Sequence, residues 1–173
     1  MADVHISSRS SDGPPALHVV LVAPEIPPNT GSIARLCAAT HIRLHLIRPL
    51  GFSLDNRHLK RAGLDYWPYV DVHVHDDWQR FRAQHRGARM HFFSARATRN
   101  YLTVRYELGD HLIFGSETTG LPPTLLAAHR NDTYVIPIFS PHVRSLNLSN
   151  AASIVVYEAL RQLGRTSTAP QTA

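Results

Sequence analysis

The chain has 173 residues, 43% of them hydrophobic, which predicts one domain that can bury a full core. The one cysteine, Cys37, excludes an internal disulfide and is expected to be a small buried hydrophobe. No apolar run approaches the roughly 20 residues of a membrane helix, and the N-terminus lacks signal-peptide features, so we expect a cytoplasmic protein with no membrane partner. The net charge of +5 favours a polyanion such as nucleic acid, with an ordinary solvated surface as the alternative.

The first element in the chain is an apolar run of strand length at residues 17–23. Prolines at 24, 27 and 28 predict a rigid loop, and the polar residues 29–32 predict the cap of a following helix. The polar segments 1–16 and 165–173 are predicted to be flexible tails, which leaves one domain at 17–164.

The middle of the chain alternates apolar runs of strand length with segments of helical pattern. Strands are predicted at 44–47, 69–74, 90–93, 111–114 and 134–136, and helices at 54–62 and 76–84. This alternation predicts an α/β domain with a mostly parallel sheet covered on both faces. Ligands bind such sheets at the carboxyl ends of the strands, which draws attention to the loops after Ala23, Phe114 and Ile136.

The last helix, predicted at about 147–163, is apolar nearly all round. A helix of this kind is buried on more than one side. Because it is the final element, we expect it to pack against a partner subunit.

The three loops carry residues suited to binding and catalysis, although each residue has a simpler structural explanation. Asn29 can cap a helix, Arg35 can form a surface salt bridge, and Gly115 can serve a tight turn. The third loop is richer, because Ser145, Asn147 and their neighbours supply more polar groups than one helix cap needs.

Residues 24–31, 114–122 and 144–150 resemble, in this order, the three signature motifs of the SpoU-type SPOUT methyltransferases. Residues 61–67 narrow the resemblance to the single-domain enzymes that methylate the ribose 2′-hydroxyl of the tRNA wobble nucleotide. The resemblance implies an α/β fold with a deep C-terminal trefoil knot, which sequence patterns would not suggest because knots are nearly absent from proteins. It also implies a homodimer formed through the last helix, where Tyr157 lies.

The resemblance implies that S-adenosylmethionine is the methyl donor, that S-adenosylhomocysteine is the product, and that no metal is needed. The family's cofactor contacts fall here at Phe93, Gly115, Ile136, Ser145, Leu146 and Asn147.

The resemblance assigns catalysis to Arg35, with Asn29 and Ser145 beside it. A ribose hydroxyl is a poor nucleophile, and an arginine can orient it and stabilise the alkoxide that develops during attack on the methyl group. The expected substrate is a tRNA anticodon loop, with a cytidine or modified uridine at the wobble position and leucine isoacceptors as the expected tRNAs. Arg35 and four further residues are expected to bind it: Arg57, Lys60, Arg61 and Tyr66, with Trp67 beside them.

The chain departs from the family pattern at Thr119, where the second motif commonly has arginine, and the role of Glu117 in that motif is left open. A related enzyme acting on another tRNA site or on rRNA, or a non-catalytic RNA-binding protein of the same fold, remain alternatives. Twelve histidines raise the question of a metal, but His73 and His75 are the only close pair and alternate along a strand, so no metal site is predicted.

Overall fold

The structure is a computed structural model that describes residues 4–5, 14–54 and 69–166. The described strands form a single sheet: β1 (Val4–His5), β2 (Leu17–Val22), β3 (Arg43–Ile47), β4 (Val72–His75), β5 (Met90–Phe93), β6 (Arg99–Asn100), β7 (Asp110–Phe114) and β8 (Thr133–Val135). The described helices are α1 (Pro27–Thr40), α2 (Trp78–Gln84), α3 (Pro123–Ala128) and α4 (Leu148–Gln162).

The strand order in the sheet is β1-β4-β3-β2-β7-β5-β8-β6. Every neighbouring pair is parallel except β1 with β4. The predicted α/β class with a mostly parallel sheet is therefore confirmed. Strands β2, β3 and β4 follow one another outward on one side of the sheet, and the later strands β5 to β8 lie on the other side. Strands β2 and β7 therefore meet at the centre. The trefoil knot stays a prediction from the resemblance.

Both faces of the sheet are buried, which explains why its central strands β2 and β7 are mostly apolar and do not alternate between apolar and exposed polar residues. Leu17, Val19 and Leu21 of β2 point into a core that α1 and α4 cover. Val20 and Val22 point to the other face, where α2 and α3 pack. Burial on both faces fixes each strand's register, because a shift by one residue would exchange the two sets of side chains.

Helix α1 begins at Pro27, earlier than the predicted cap at residues 29–32, and its N-cap residue Ile26 makes no side-chain capping bond. The reason is that proline suits the first turn of a helix, where its missing N–H has no intrahelical acceptor. Helices α2 and α4, by contrast, have capping side chains. Asp77 accepts from Arg80 N at 2.7 Å, and Asn147 accepts from Ser149 N at 2.9 Å.

Other differences concern short or edge elements. Strand β4 begins at Val72 rather than at residue 69, and the two-residue strand β6 was not predicted. The predicted helix at 54–62 lies outside the described residues except for Leu54, which is not helical.

Two parts of the predicted N-terminal tail are placed in the structure. Val4–His5 pairs with β4, and Ala16 is buried. The domain boundaries themselves stay predictions. Among the described residues, no helix has both the length and the apolar character needed to cross a membrane.

Candidate active site

A cleft of about 750 Å³ opens at the carboxyl ends of β5, β7 and β8. Its lining includes every residue that the resemblance assigns to cofactor binding: Phe93, Gly115, Ile136, Ser145, Leu146 and Asn147. Asn29, assigned to catalysis, lines it as well. Residues far apart in sequence thus meet in one place, at the edge of the sheet where parallel α/β folds bind ligands.

Gly115 is required by close contact between two backbone segments. A Cβ atom built on it would lie 2.1 Å from Gly120 C and from Leu121 N. The second motif folds back here, with Ser116 and Gly120 exchanging backbone hydrogen bonds of 3.0 and 3.3 Å. Gly120 itself has a φ of +72°, a conformation that suits glycine. The glycine at 115 therefore brings the returning backbone against the end of β7 and shapes the cleft wall.

The Glu117 carboxylate joins the second motif to the first. It accepts hydrogen bonds from Glu25 N at 2.8 Å, from Ile26 N at 3.2 Å and from Asn29 Nδ2 at 3.0 Å. These donors surround the N-terminus of α1, where backbone N–H groups have no intrahelical acceptor and a negative charge is stabilising. The Glu25 carboxylate of the first motif in turn accepts a hydrogen bond from Thr118 Oγ1 of the second motif at 2.6 Å. The role that the sequence left open for Glu117 is to hold the two motif loops together.

Asn29 extends this connection to the third motif. Asn147 Nδ2 donates to Asn29 Oδ1 at 3.0 Å, while Asn147 Oδ1 caps α4. The side chain of Asn29 is buried, so both of its polar ends are used, one toward Glu117 and one toward Asn147. The three motifs are therefore one hydrogen-bonded unit, which preorganises the cleft.

We expect Glu117→Gln to lower the free energy of unfolding by about 2 kcal/mol, because glutamine has one acceptor oxygen and its NH2 would face N–H donors. Urea denaturation measures the change. The matched control is Glu25→Gln, whose carboxylate serves fewer and more exposed donors and should cost less than about 1 kcal/mol. Equal stability of Glu117→Gln and the unchanged protein would contradict the role given to Glu117.

The cleft has an apolar side and a basic side. Phe93 and Phe114 stack with ring centroids 5.1 Å apart, and Ile136 lies near them. Arg96 and Arg144 also line the cleft. The segment 94–96, which also lines the cleft, was not among the three loops selected from the sequence. Its position after a parallel strand could have indicated that it belongs to the ligand site.

Thr119 lies at the cleft, and its hydroxyl is 2.8 Å from Ser116 Oγ. The position where the family commonly has arginine therefore contributes here to the shape of the loop.

Arg35 is exposed on α1 and is not among the residues that line the cleft of the single chain. Its predicted catalytic role stays a prediction. The predicted substrate residues Arg57, Lys60, Arg61 and Tyr66, with Trp67, lie outside the described residues.

Cys37 is 1% exposed in the core, and burial raises the pKa of its thiol. Both observations agree with the predicted buried hydrophobe and argue against a reactive thiolate.

Comparison with known proteins identifies the family to which this cleft belongs. Residues 16–157 match the SpoU rRNA Methylase family. The chain belongs to the SpoU methylase family. The resemblance noted in the sequence and the expected fold family are thereby confirmed.

Several relatives of this SpoU methylase match along nearly their whole length. It is 50% identical over 149 residues to the tRNA (cytidine(34)-2'-O)-methyltransferase of Burkholderia ambifaria, covering 85% of this chain and 96% of that one. It is 47% identical over 148 residues to the Escherichia coli K12 protein of the same name, covering 86% and 94%.

Solved structures agree on the fold. A structure described as giving structural insights into the 2-OH methylation of C/U34 on tRNA superposes with a TM-score of 0.81 and 52% identity, covering 88% of this chain and 99% of that one. The Streptomyces viridochromogenes SpoU methyltransferase AviRb, in complex with AdoMet, shares the fold at 20% identity and a TM-score of 0.74, covering 88% of this chain and 60% of that one.

Proposed function

We propose that this SpoU methylase transfers a methyl group from S-adenosylmethionine to the ribose 2′-hydroxyl of the wobble nucleotide of tRNA, a cytidine or modified uridine at position 34. The observation that carries the proposal is its identity of about 50%, over nearly the whole chain, with enzymes named for this reaction. Leucine isoacceptors are the expected substrates, and the cytoplasm, where tRNA is modified, is the expected compartment.

The cleft suits S-adenosylmethionine in size and character. A volume of about 750 Å³ lies in the range of small-molecule sites, and the stacked Phe93 and Phe114 offer an apolar surface to a flat adenine. Ser145, Leu146 and Asn147 also line the cleft, just before α4 begins. The donor supplies a methyl group activated by a sulfonium, so the reaction needs no metal.

The protein's contribution is to position the ribose and to stabilise charge. The bond between the ribose oxygen and the methyl carbon forms as the sulfur–carbon bond breaks, and the hydroxyl proton leaves for solvent or a nearby base. Arg35 is proposed to hold the adjacent phosphate and the developing alkoxide, because a guanidinium can serve both at once. Asn29 and Ser145 are proposed to orient the ribose, Asn29 from a position already fixed by two hydrogen bonds.

RNA binding is proposed to combine phosphate contacts with stacking on a splayed anticodon loop. Arg96 and Arg144 at the cleft supply charge where Thr119 replaces the family's arginine. Arg57, Lys60, Arg61 and Tyr66 remain the proposed contacts farther along the loop.

The test of substrate class compares methyl transfer from labelled S-adenosylmethionine to tRNA and to rRNA fragments, with donor binding measured separately by calorimetry. The proposal requires transfer to tRNA at a rate well above that to rRNA. Transfer to rRNA alone would indicate a related methyltransferase that acts on rRNA. Donor binding without transfer to either RNA would indicate a non-catalytic RNA-binding protein of the same fold.

We also propose a homodimer through α4. One face of this helix is buried by residues including Val155 and Ala159, whereas Ile154 and Tyr157 are 37% and 54% exposed. Large apolar side chains exposed three residues apart on one helix are typical of an interface.

Tyr157→Glu is therefore expected to convert the dimer to monomers, because a charge would be buried against an apolar partner. Sedimentation velocity measures the change in mass. The control is Tyr69→Glu, which alters another exposed tyrosine away from α4 and should leave the dimer intact. A monomeric unaltered protein would contradict the dimer.

A further inference from the structure

Three buried histidines lie together on the sheet face that α2 covers. His18 on β2, His45 on β3 and His111 on β7 come from three adjacent strands and are 8%, 1% and 3% exposed. We call these three residues the histidine cluster. The histidine cluster has no sequence pattern of its own, because its members are 27 and 66 residues apart along the chain and meet only through strand pairing.

The cluster is separate from the active-site cleft. His111 precedes Gly115 by four residues on β7, which corresponds to roughly 13 Å along an extended strand. His18 lies four residues before the end of β2 and His45 two residues before the end of β3, and neither is among the residues that line the cleft. The methyl-transfer chemistry therefore makes no use of these imidazoles, and their presence in the core needs its own explanation.

Each residue of the histidine cluster offers a ring nitrogen, and these atoms all lie within 4.8 Å of one another. His18 Nδ1 and His45 Nε2 are 2.9 Å apart. In a tetrahedral zinc site, where each nitrogen is about 2.0–2.1 Å from the ion, two ligand nitrogens are roughly 3.4 Å apart. These two rings would therefore have to separate by only a few tenths of an ångström to share an ion.

His111 would have to turn. Its ring stacks on that of His18 with centroids 4.0 Å apart and planes within 5°. Ligand lone pairs lie in the ring plane, so two parallel rings cannot both point at an ion between them. No ring nitrogen of His111 has a partner in hydrogen-bonding geometry within the described part of the chain, although the Gly109 backbone is near enough to affect its pKa. Rotation of this ring would thus break no strong hydrogen bond.

The surroundings match those of a metal ligand set. The second ring nitrogen of His45, Nδ1, lies 2.9 Å from His75 Nε2, and a hydrogen bond at the outer nitrogen fixes the orientation of a metal-binding imidazole. The His85 ring covers the cluster, with its centroid 5.0 Å from those of His45 and His111. Burial lowers the pKa of the His18 and His111 rings.

We propose that His18, His45 and His111 bind a divalent first-row transition ion, with zinc as the leading candidate and His75 as the residue that orients His45. Nitrogen ligands in a closed, water-poor site suit zinc, and the ion would tie β3, β2 and β7 together. Water or the His85 ring would provide the fourth ligand.

The experiment titrates zinc against a chromophoric chelator, using the full chain without an affinity tag after removal of metals. His111→Leu is the informative variant, because it replaces a buried imidazole without strong hydrogen bonds by an apolar side chain and should remain folded without metal. His41→Asn is the control, because it removes an exposed histidine and keeps a residue that tolerates the left-handed conformation found there. His45→Gln provides a second test should His111→Leu fail to fold.

The expected result is one tight zinc equivalent per chain, retained in His41→Asn and weakened at least a hundredfold in His111→Leu or His45→Gln. Cobalt in place of zinc should give the visible absorption of a tetrahedral site in the unaltered protein and in His41→Asn. His111→Leu and His45→Gln should lack this absorption. The proposal is overturned if the unaltered protein binds no stoichiometric zinc, or if the cluster variants bind zinc as tightly as it does.

Discussion

Gly115→Ala is expected to lower the free energy of unfolding by at least about 3 kcal/mol, the upper end of the usual cost of overpacking. The added methyl group would lie 2.1 Å from backbone atoms of Gly120 and Leu121, and a backbone segment cannot move aside as a flexible side chain can. The returning backbone of the second motif would have to shift, and the cleft wall would shift with it. Urea denaturation gives the loss of stability, and calorimetry with S-adenosylmethionine gives the loss of binding.

The matched control is Gly87→Ala. Gly87 has a φ of +80°, and a Cβ atom there would meet nothing within 4 Å. This variant carries the backbone strain of a left-handed alanine without any clash and should cost about 1 kcal/mol. Similar losses in the two variants, or normal donor binding by Gly115→Ala, would contradict the close backbone contact at Gly115.

Arg35→Ala is expected to lower kcat for methyl transfer by about a hundredfold to a thousandfold, the usual effect of removing a group that stabilises developing charge. Arg35 is exposed on α1 and does not line the cleft, so the binding of S-adenosylmethionine and the overall stability should change little. Single-turnover kinetics with saturating tRNA separate this loss of chemistry from a loss of RNA affinity.

Two further variants make the result specific. Arg35→Lys keeps the positive charge but loses the planar guanidinium, whose paired N–H groups can bind a phosphate in bidentate fashion. This variant should therefore recover only part of the activity. Arg86→Ala removes another exposed arginine, in the turn after α2, and should keep kcat within about twofold of the unaltered value, as for most surface substitutions. Full activity in Arg35→Ala would remove Arg35 from the mechanism.

The fold was largely predictable because its main signals are local. Apolar runs such as 17–23 and 111–114 can be buried only in a sheet covered on both faces, and both strands were placed within one or two residues. The helices predicted at 76–84 and at about 147–163 were placed within about two residues, because a helical apolar pattern is also a local signal. The start of α1 was misplaced because prolines were taken to exclude a helix whose first turn they in fact occupy.

Features that depend on distant contacts could not be predicted from local pattern. The resemblance brought Phe93, Gly115 and Asn147 to one site, but no local pattern indicates the role of Glu117, whose partners are about 90 residues away. Gly115 was expected at a tight turn and at the cofactor site, and it does line the cleft beside a tight turn, but its close contact with the backbone of Gly120 and Leu121 depends on the folded chain. The histidine cluster could not be predicted for the same reason, because its three members meet only where β3, β2 and β7 lie side by side in the sheet.

The position of the transferred methyl group shows whether the protein methylates the ribose of the wobble nucleotide. Unmodified tRNA is incubated with the protein and S-adenosylmethionine, digested to oligonucleotides, and analysed by mass spectrometry for 2′-O-methylated nucleosides. The proposed function predicts a single new methyl group on the ribose of the nucleotide at position 34, present with the unaltered protein and nearly absent with Arg35→Ala. A methyl group on a base, or on the ribose of any other nucleotide, would contradict it.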